Sequence, residues 1–297
     1  MEKLRMAKAP ICDYEGSEYQ KVFWEEGGRA YEDAVEEIAL RRLLPAQGKH
    51  LLEAGAGAGR NTMRYTGYEQ ITLLDYSHTQ LEQARERLGN SARYRYVAAD
   101  VYKLPFAPAV FDGATMISTI HHLKEAESAL QQVRQVLAKD STFILDFANQ
   151  RNLKSILRYA LGKQSWNPYT LEQVEFVKLN FNFHPRQIRQ WLRALDFTIE
   201  RQLSVSHFRV GFLKRHVPLG TLKALDSALQ WTGAAWQLTP SVFVKSTLAE
   251  GMPRQDFAFR CPQCGNHPLK AQEADITCPQ CGTTFPYQDG IYDFRVQ

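Results

Sequence analysis

The sequence predicts an α/β fold on a mostly parallel sheet, followed by a small cysteine-bearing module. Three observations carry that reading. Strand-like and helix-like segments alternate from about residue 30 to residue 149, the pattern of β-α units with crossover helices on both sheet faces. An apolar run, "LLEAGAGAGRNT" from Leu51 to Thr62, turns into glycine at alternate positions. Two "CPQCG" repeats stand near the C-terminal end.

The elements follow in order. "AYEDAVEEIALRRLL" has apolar residues at helical spacing, with acids early and arginines late, as the helix dipole favours. "KHLLEA", "QITLLDY", "YRYVAAD", "VFDGATMIST" and "STFILDFAN" read as buried strands. Helices are expected between them at "TQLEQARERLG", stopped by Gly89, and at "EAESALQQVRQVLAKD". Beyond Asn149 the rhythm breaks. "NLKSILRYALG" is an amphipathic helix with Lys154 and Arg158 on its polar side. An aromatic-rich stretch then leads to Pro185, a first-turn proline opening "PRQIRQWLRALDF", with His184 expected as its cap. "FTIERQLSVSHFRV" and "SVFVKSTL" supply two late strands, and "AEGMPRQDF" reads as a linker.

With 297 residues, 44% hydrophobic and 23% charged, the chain has the composition of an ordinary globular protein. It has no apolar run long enough to span a membrane, and "MEKLRMAKAP" lacks the apolar core of a secretory signal. Four of five cysteines fall in Cys-x-x-Cys pairs, which suits a metal site in a reducing compartment, so a cytoplasmic location is expected. The net charge is +4, but residues 151–223 hold 13 Lys/Arg against 4 Asp/Glu, a local balance of +9. That excess is either a solvated face or a surface for an anionic partner: RNA, a phosphorylated small molecule or an acidic membrane surface.

A strand, a glycine-rich turn and a following helix bring backbone N–H groups close to a ligand. Here the glycines are Gly55, Gly57 and Gly59, a G-x-G-x-G spacing that departs from the G-x-G-x-x-G of dinucleotide sites. Asp75 ends the next strand, where a carboxylate can accept both hydroxyls of a ribose, and Asp100 ends the third, where an acid can meet an adenine amino group. With these in register, and with "AADVYKLPFAPAVFDGATMISTIHHL" following, the chain resembles the class I S-adenosylmethionine-dependent methyltransferases, and within them the broad type 11 group. The resemblance runs from about Glu18 to Leu248 and is clearest in the first half. It implies a Rossmann-like sandwich on a seven-stranded, mostly parallel sheet. It also implies that Glu53 and the three glycines hold the methionine end of S-adenosylmethionine, Asp75 and Tyr76 the ribose and adenine, and Asp100 with Val101 the adenine edge.

Methyl transfer needs alignment and exclusion of water, and a base only where the acceptor must lose a proton. His121 and His122 follow the fourth strand at its carboxyl end and are the catalytic candidates, although loop histidines satisfied by backbone are equally ordinary. Asp146 and Asn149 close the fifth strand and are candidates for the same cleft. Tyr14, Tyr19, Phe23 and Trp24, with Arg29 and Tyr31, form a candidate lid or an ordinary helix packing.

Cys261, Cys264, Cys278 and Cys281 form C-x2-C-x13-C-x2-C with a glycine after each pair, the spacing of a four-thiolate structural Zn2+ site. "CGTTFPYQDGIYDF" resembles the tail of the small zinc-ribbon proteins that activate tRNA and translation-factor methyltransferases. Tyr292 stands where those have proline, and the resemblance implies a docking or structural zinc ribbon.

The combined expectation is a methyltransferase domain over residues 1–250, with a lid-like insertion at about 150–184, and a zinc ribbon over 256–297. The expected acceptor is a small molecule, of an anionic or membrane-associated kind if the basic stretch is functional, with the ribbon a candidate site for a protein partner. An RNA (tRNA or rRNA) acceptor docked by the ribbon is the alternative enzyme reading. A non-catalytic nucleoside-binding scaffold is the alternative of another class.

Overall fold

The computed structural model describes residues 10–12 and 14–295; residues 1–9 and 296–297, the outer ends of the two expected domains, and residue 13 lie outside the described residues. Helix α1 (Ala30–Leu43) leads into β1 (Gly48–Ala54), followed by β2 (Tyr68–Asp75), α2 (His78–Leu88), β3 (Tyr94–Ala98), β4 (Phe111–Met116), α3 (Ala126–Val136) and β5 (Leu137–Ala148). Then come α4 (Leu153–Ala160), a hairpin of β6 (Val174–Val177) and β7 (Asn180–Asn182), α5 (Pro185–Ala194) and β8 (Phe197–Val205). Helices α6 (Gly211–His216) and α7 (Leu219–Leu229) precede β9 (Ser241–Leu248). Four short strands complete the described chain: β10 (Ile276–Thr277), β11 (Thr284–Phe285), β12 (Tyr287–Gln288) and β13 (Ile291–Asp293).

The main sheet has nine strands, not the seven expected, in the order β12-β13-β3-β2-β1-β4-β5-β9-β8. The expected seven are its run from β3 to β8. The other two come from the cysteine module, whose β13 pairs in parallel with β3, Ile291 opposite Tyr96 and Tyr292 opposite Val97. Strands β1 to β5 are parallel, and β9 runs antiparallel between β5 and β8. The order reverses beside β1, so the loops leaving β1 and β4 open into one crevice at the carboxyl edge.

Helices α1, α2 and α7 bury Val35, Leu40, Leu81 and Leu222 against one sheet face. Helices α3 and α5 bury Leu130, Val133, Ile188 and Leu192 against the other. On that second face the connection from β3 to β4, residues 99–110, contains no helix. The module fills the gap: Phe259 forms an antiparallel bridge with Phe106 and stacks on it at 5.9 Å, while also meeting Phe294 at 4.7 Å and Tyr292 at 4.9 Å. Each fully buried ring of this kind is worth about 1.5–3 kcal/mol relative to exposure. Tyr292, where the ribbon resemblance expects proline, thus serves as packing for the strand it sits on.

Two local expectations change. The helix expected at 125–140 ends at Val136, and Leu137 already pairs with Phe111 in β5. Leu137 and Ala138 are apolar and buried, so periodicity alone fits a helix turn and a buried strand equally. The helix expected after the glycine loop is a three-residue 3-10 turn, Thr62–Arg64. Buried Glu53 draws that segment inward by accepting from Thr62 Oγ1 (2.6 Å) and from the Tyr65 hydroxyl (3.2 Å).

Candidate active site

The glycine loop leaves β1 and is tied to β2: Gly55 and Ala56 donate to the Leu74 carbonyl at 2.8 and 2.9 Å. Gly55 has φ +75°, and a Cβ there would lie 2.2 Å from Thr119 Oγ1 on the loop after β4. Only glycine meets both demands. Gly57 donates its N–H to Asp75 Oδ2 at 2.8 Å, and Ser77 donates to Oδ1 at 3.0 Å. The acid at the end of β2 therefore holds the loop as well as facing the crevice. Asp100, at the end of β3, is fixed by the Tyr102 N–H at 2.9 Å.

A cavity enclosing ≈ 1050 Å³, its mouth included, opens between these loops. Glu53, Gly55, Gly57, Asp75, Tyr76 and Asp100 line it, together with Val101. Gly59 does not; it faces Ala84 and Leu88 of α2. Burial pushes the Glu53 carboxyl up to about 7, against the pull of its Thr62 and Tyr65 hydrogen bonds.

The two candidate histidines separate. His122 lines the cavity and His121 does not. His122 Nδ1 lies 3.2 Å from the Leu179 carbonyl, which can only accept, so Nδ1 carries the proton. Nε2 then holds the lone pair, facing the Tyr14 hydroxyl at 3.3 Å. Burial lowers the pKa of both histidines, so each is neutral near pH 7. Asp146 is 5% exposed and outside the cavity, held by Ser241 Oγ at 2.5 Å and the Ser118 N–H at 3.3 Å, and burial raises its pKa to about 7. Asn149 donates to the Gln237 and Thr239 carbonyls, both at 2.9 Å. Both residues thus tie β5 to its neighbours. His184 caps α5, its Nδ1 accepting the Arg186 N–H at 3.1 Å.

The lid candidates also divide. Tyr14, Tyr19 and Trp24 line the cavity; Phe23 stacks on Tyr19 from outside at 5.0 Å. Arg29 lies over the Phe23 ring at 4.3 Å, and Tyr31 is buried against α7, donating to Asp226 Oδ2 at 2.6 Å. Sequence reasoning missed Arg60, which also lines the cavity. Its guanidinium pairs with Asp33 and, at 2.7 Å, with Glu36, and sits 3.5 Å from the Trp24 ring centre, joining loop, α1 and lid. The signal was present as two acids on one face of α1 and an arginine in the loop. Residues 150–184 line none of the cavity and approach it through the Leu179 carbonyl on His122.

In the cysteine module the four sulfurs lie within 4.8 Å of one another, with Cys261–Cys281 and Cys264–Cys278 at 3.6 Å. Tetrahedral bonds of about 2.3 Å place sulfurs about 3.8 Å apart, so the donor set fits one zinc ion.

Residues 52–145 match the methyltransferase domain family. The chain is 38% identical over 109 residues to the O-methyltransferase cnsE of Penicillium expansum, covering 35% of this chain and 40% of that protein. It is 31% identical over 140 residues to the malonyl-[acyl-carrier protein] O-methyltransferase of Geobacter sulfurreducens, covering 43% and 52%. The chain thus spans about half or less of the length of these relatives. Among solved structures it resembles a chain of the complex containing the Haloferax volcanii Trm112 methyltransferase activator, at 13% identity, TM-score 0.55, over 78% of this chain and 96% of that one. The protein has the class I methyltransferase fold, with a methyltransferase domain at residues 52–145.

Proposed function

We propose that the protein is an S-adenosylmethionine-dependent methyltransferase acting on a small-molecule acceptor. The observation that supports this is the meeting of Glu53, the glycine loop, Asp75 and Asp100 at one cavity. In this reading Glu53, Gly55 and Gly57 serve the methionine end, while Gly59, expected beside them, packs the loop on α2; Asp75 and Tyr76 serve the ribose and adenine, and Asp100 and Val101 the adenine edge. S-adenosylmethionine, when bound, supplies an electrophilic methyl on a sulfonium that departs as a neutral thioether. The chain's own residues align the acceptor, exclude water and accept a proton where the acceptor has one to lose. His122 rather than His121 is the proposed base: an acceptor hydroxyl replacing the Tyr14 hydroxyl would meet the Nε2 lone pair. Relatives named O-methyltransferases favour such an oxygen acceptor.

The same reading assigns a structural zinc to Cys261, Cys264, Cys278 and Cys281. It divides the chain into a methyltransferase domain, 1–250, with its insertion at 150–184, and a ribbon, 256–297, that serves the chain's own sheet.

Calorimetry with S-adenosylhomocysteine tests the cofactor site. Asp75→Ala should weaken binding by about 2–3 kcal/mol, as expected for charge-assisted hydrogen bonds. Unchanged affinity, or binding of NAD in its place, would overturn the assignment. Metal analysis should find one zinc per chain, and mass spectrometry of a cell extract given methyl-labelled cofactor should reveal the methylated acceptor.

A further inference from the structure

Helix α4 turns its leucines outward, with Ile156 half-buried at their edge. Successive residues of a helix advance by about 100°, so Leu153, Leu157, Ala160 and Leu161 share one face, with Ser155 on the side away from it. In a helix packed on a core, that apolar face is the buried one. Here Ser155 is the buried residue, while Leu153, Leu157 and Leu161 are 52%, 53% and 68% exposed.

The exposed face does not stand alone. The Leu153 N–H donates to the Leu238 carbonyl at 2.9 Å, which sets the start of the helix beside exposed Leu238, two residues along the chain from exposed Trp236. Arg151 extends over the ring of exposed Tyr169 at 6.0 Å. Exposed leucines gathered on one helix face mark a contact site, unlike single scattered leucines.

Charge says what would cover it. Lys154 and Arg158 follow the leucine face around the helix, Arg151 precedes it and Lys163 follows it, all exposed. They belong to the stretch 151–223 with its balance of +9. A leucine face with basic residues at its border and aromatic residues beside it suits an anionic lipid surface: leucines and tryptophan enter the acyl boundary while Lys and Arg stay at the phosphates. A second copy of the chain would bring the same positive charge against itself. Among the described residues no helix is long and apolar enough to cross a membrane, so the contact would be peripheral.

We propose that α4, with Trp236 and Leu238, docks this protein onto the surface of an anionic lipid bilayer. Because α4 follows the carboxyl end of β5, the docked face lies at the same sheet edge as the cavity after β1 and β4. The docking rests on surface chemistry and is independent of the cofactor assignment.

The test is sedimentation of the full chain with vesicles of pure phosphatidylcholine or of phosphatidylcholine containing phosphatidylserine, at low and physiological salt. The intact protein should bind the phosphatidylserine vesicles at least about tenfold more tightly than the neutral ones, and salt should weaken that binding. Brominated lipid should quench tryptophan fluorescence in the intact protein and much less in Trp236→Phe. Leu153→Ser/Leu157→Ser/Leu161→Ser should lose binding with its melting temperature retained, and Lys154→Glu/Arg158→Glu should lose the preference for phosphatidylserine. Failure of the intact protein to bind phosphatidylserine vesicles at low salt would overturn the proposal. So would equal binding by the triple-serine variant, or a stable dimer in solution that this variant dissociates. The intact-protein and quenching readouts decide the matter even if the triple variant fails to fold.

Discussion

Arg295 and Glu15, 280 positions apart, form an ion pair at 3.2 Å. Arg295 also donates to the Tyr76 carbonyl at 3.3 Å, and Glu15 accepts the His78 and Thr79 N–H groups at 2.9 and 3.0 Å. One residue just past β13 thus fastens the segment carrying Tyr14 and Tyr19 to the start of α2, beside the cavity. Arg295→Ala should loosen that segment. An exposed pair is worth up to about 1 kcal/mol, so nucleoside dissociation should speed up about two- to fivefold, with Asp75 and its loop unaltered. Stopped-flow tryptophan fluorescence would measure it, and hydrogen exchange should rise around residues 14–19.

Glu53 makes binding depend on pH. Its carboxyl, raised by burial to about 7, is neutral below that pH and ionised above it. A ligand ammonium prefers the ionised form, so affinity for S-adenosylhomocysteine should fall as pH drops below about 7, by up to tenfold per unit. Glu53→Gln should flatten that dependence and bind weakly throughout. Calorimetry from pH 5.5 to 8.5, in buffers of different ionisation enthalpy, would show the coupled proton.

Gly55→Ala should fail for two separable reasons. A positive φ costs a non-glycine residue about 1–2 kcal/mol, and the new methyl would meet Thr119 Oγ1 at 2.2 Å. A loss of about 2–4 kcal/mol follows, lowering the melting temperature by several degrees. Adding Thr119→Ala should restore part of the second cost and none of the first, which thermal denaturation of the pair would resolve.

Tyr31→Phe should separate structure from lid. Tyr31 donates to the fully buried Asp226 and accepts the Phe208 N–H at 2.9 Å. Removing its hydroxyl leaves that network short of a donor and should cost about 1–3 kcal/mol of stability. Nucleoside affinity should not change, because Tyr31 is outside the cavity lining. Urea denaturation and calorimetry on the same variant would check both statements.

How much of this was legible in the sequence depended on whether a signal was local. The strands around Leu51, Ile71 and Val97 announce themselves as apolar runs, and His184–Pro185 carries its own cap. The gathering of Glu53, Asp75 and Asp100 at one edge follows from strand ends in a parallel sheet, so the site's frame was readable. Tertiary contacts decided the rest. The turn at Thr62–Arg64 is set by Glu53 taking two hydroxyls, and the clamp of Arg60 on Asp33 and Glu36 joins segments whose charges are complementary in sequence but whose meeting only the packing of α1 decides. Nor does composition reveal that α4 turns its leucines outward, because an amphipathic pattern names two faces without saying which is inside.

The β3 edge is completed by a strand whose Ile291 lies 195 positions beyond its partner Tyr96. During synthesis that edge, and the rings of Phe106 and Phe111 beside it, wait for the ribosome. At about 5–20 residues per second the wait is about 10–40 s. An unpaired edge over that interval is a template for strands of other chains. The yield of native protein is therefore set partly by translation speed and by whatever shields the nascent chain, before any ligand or lipid is met.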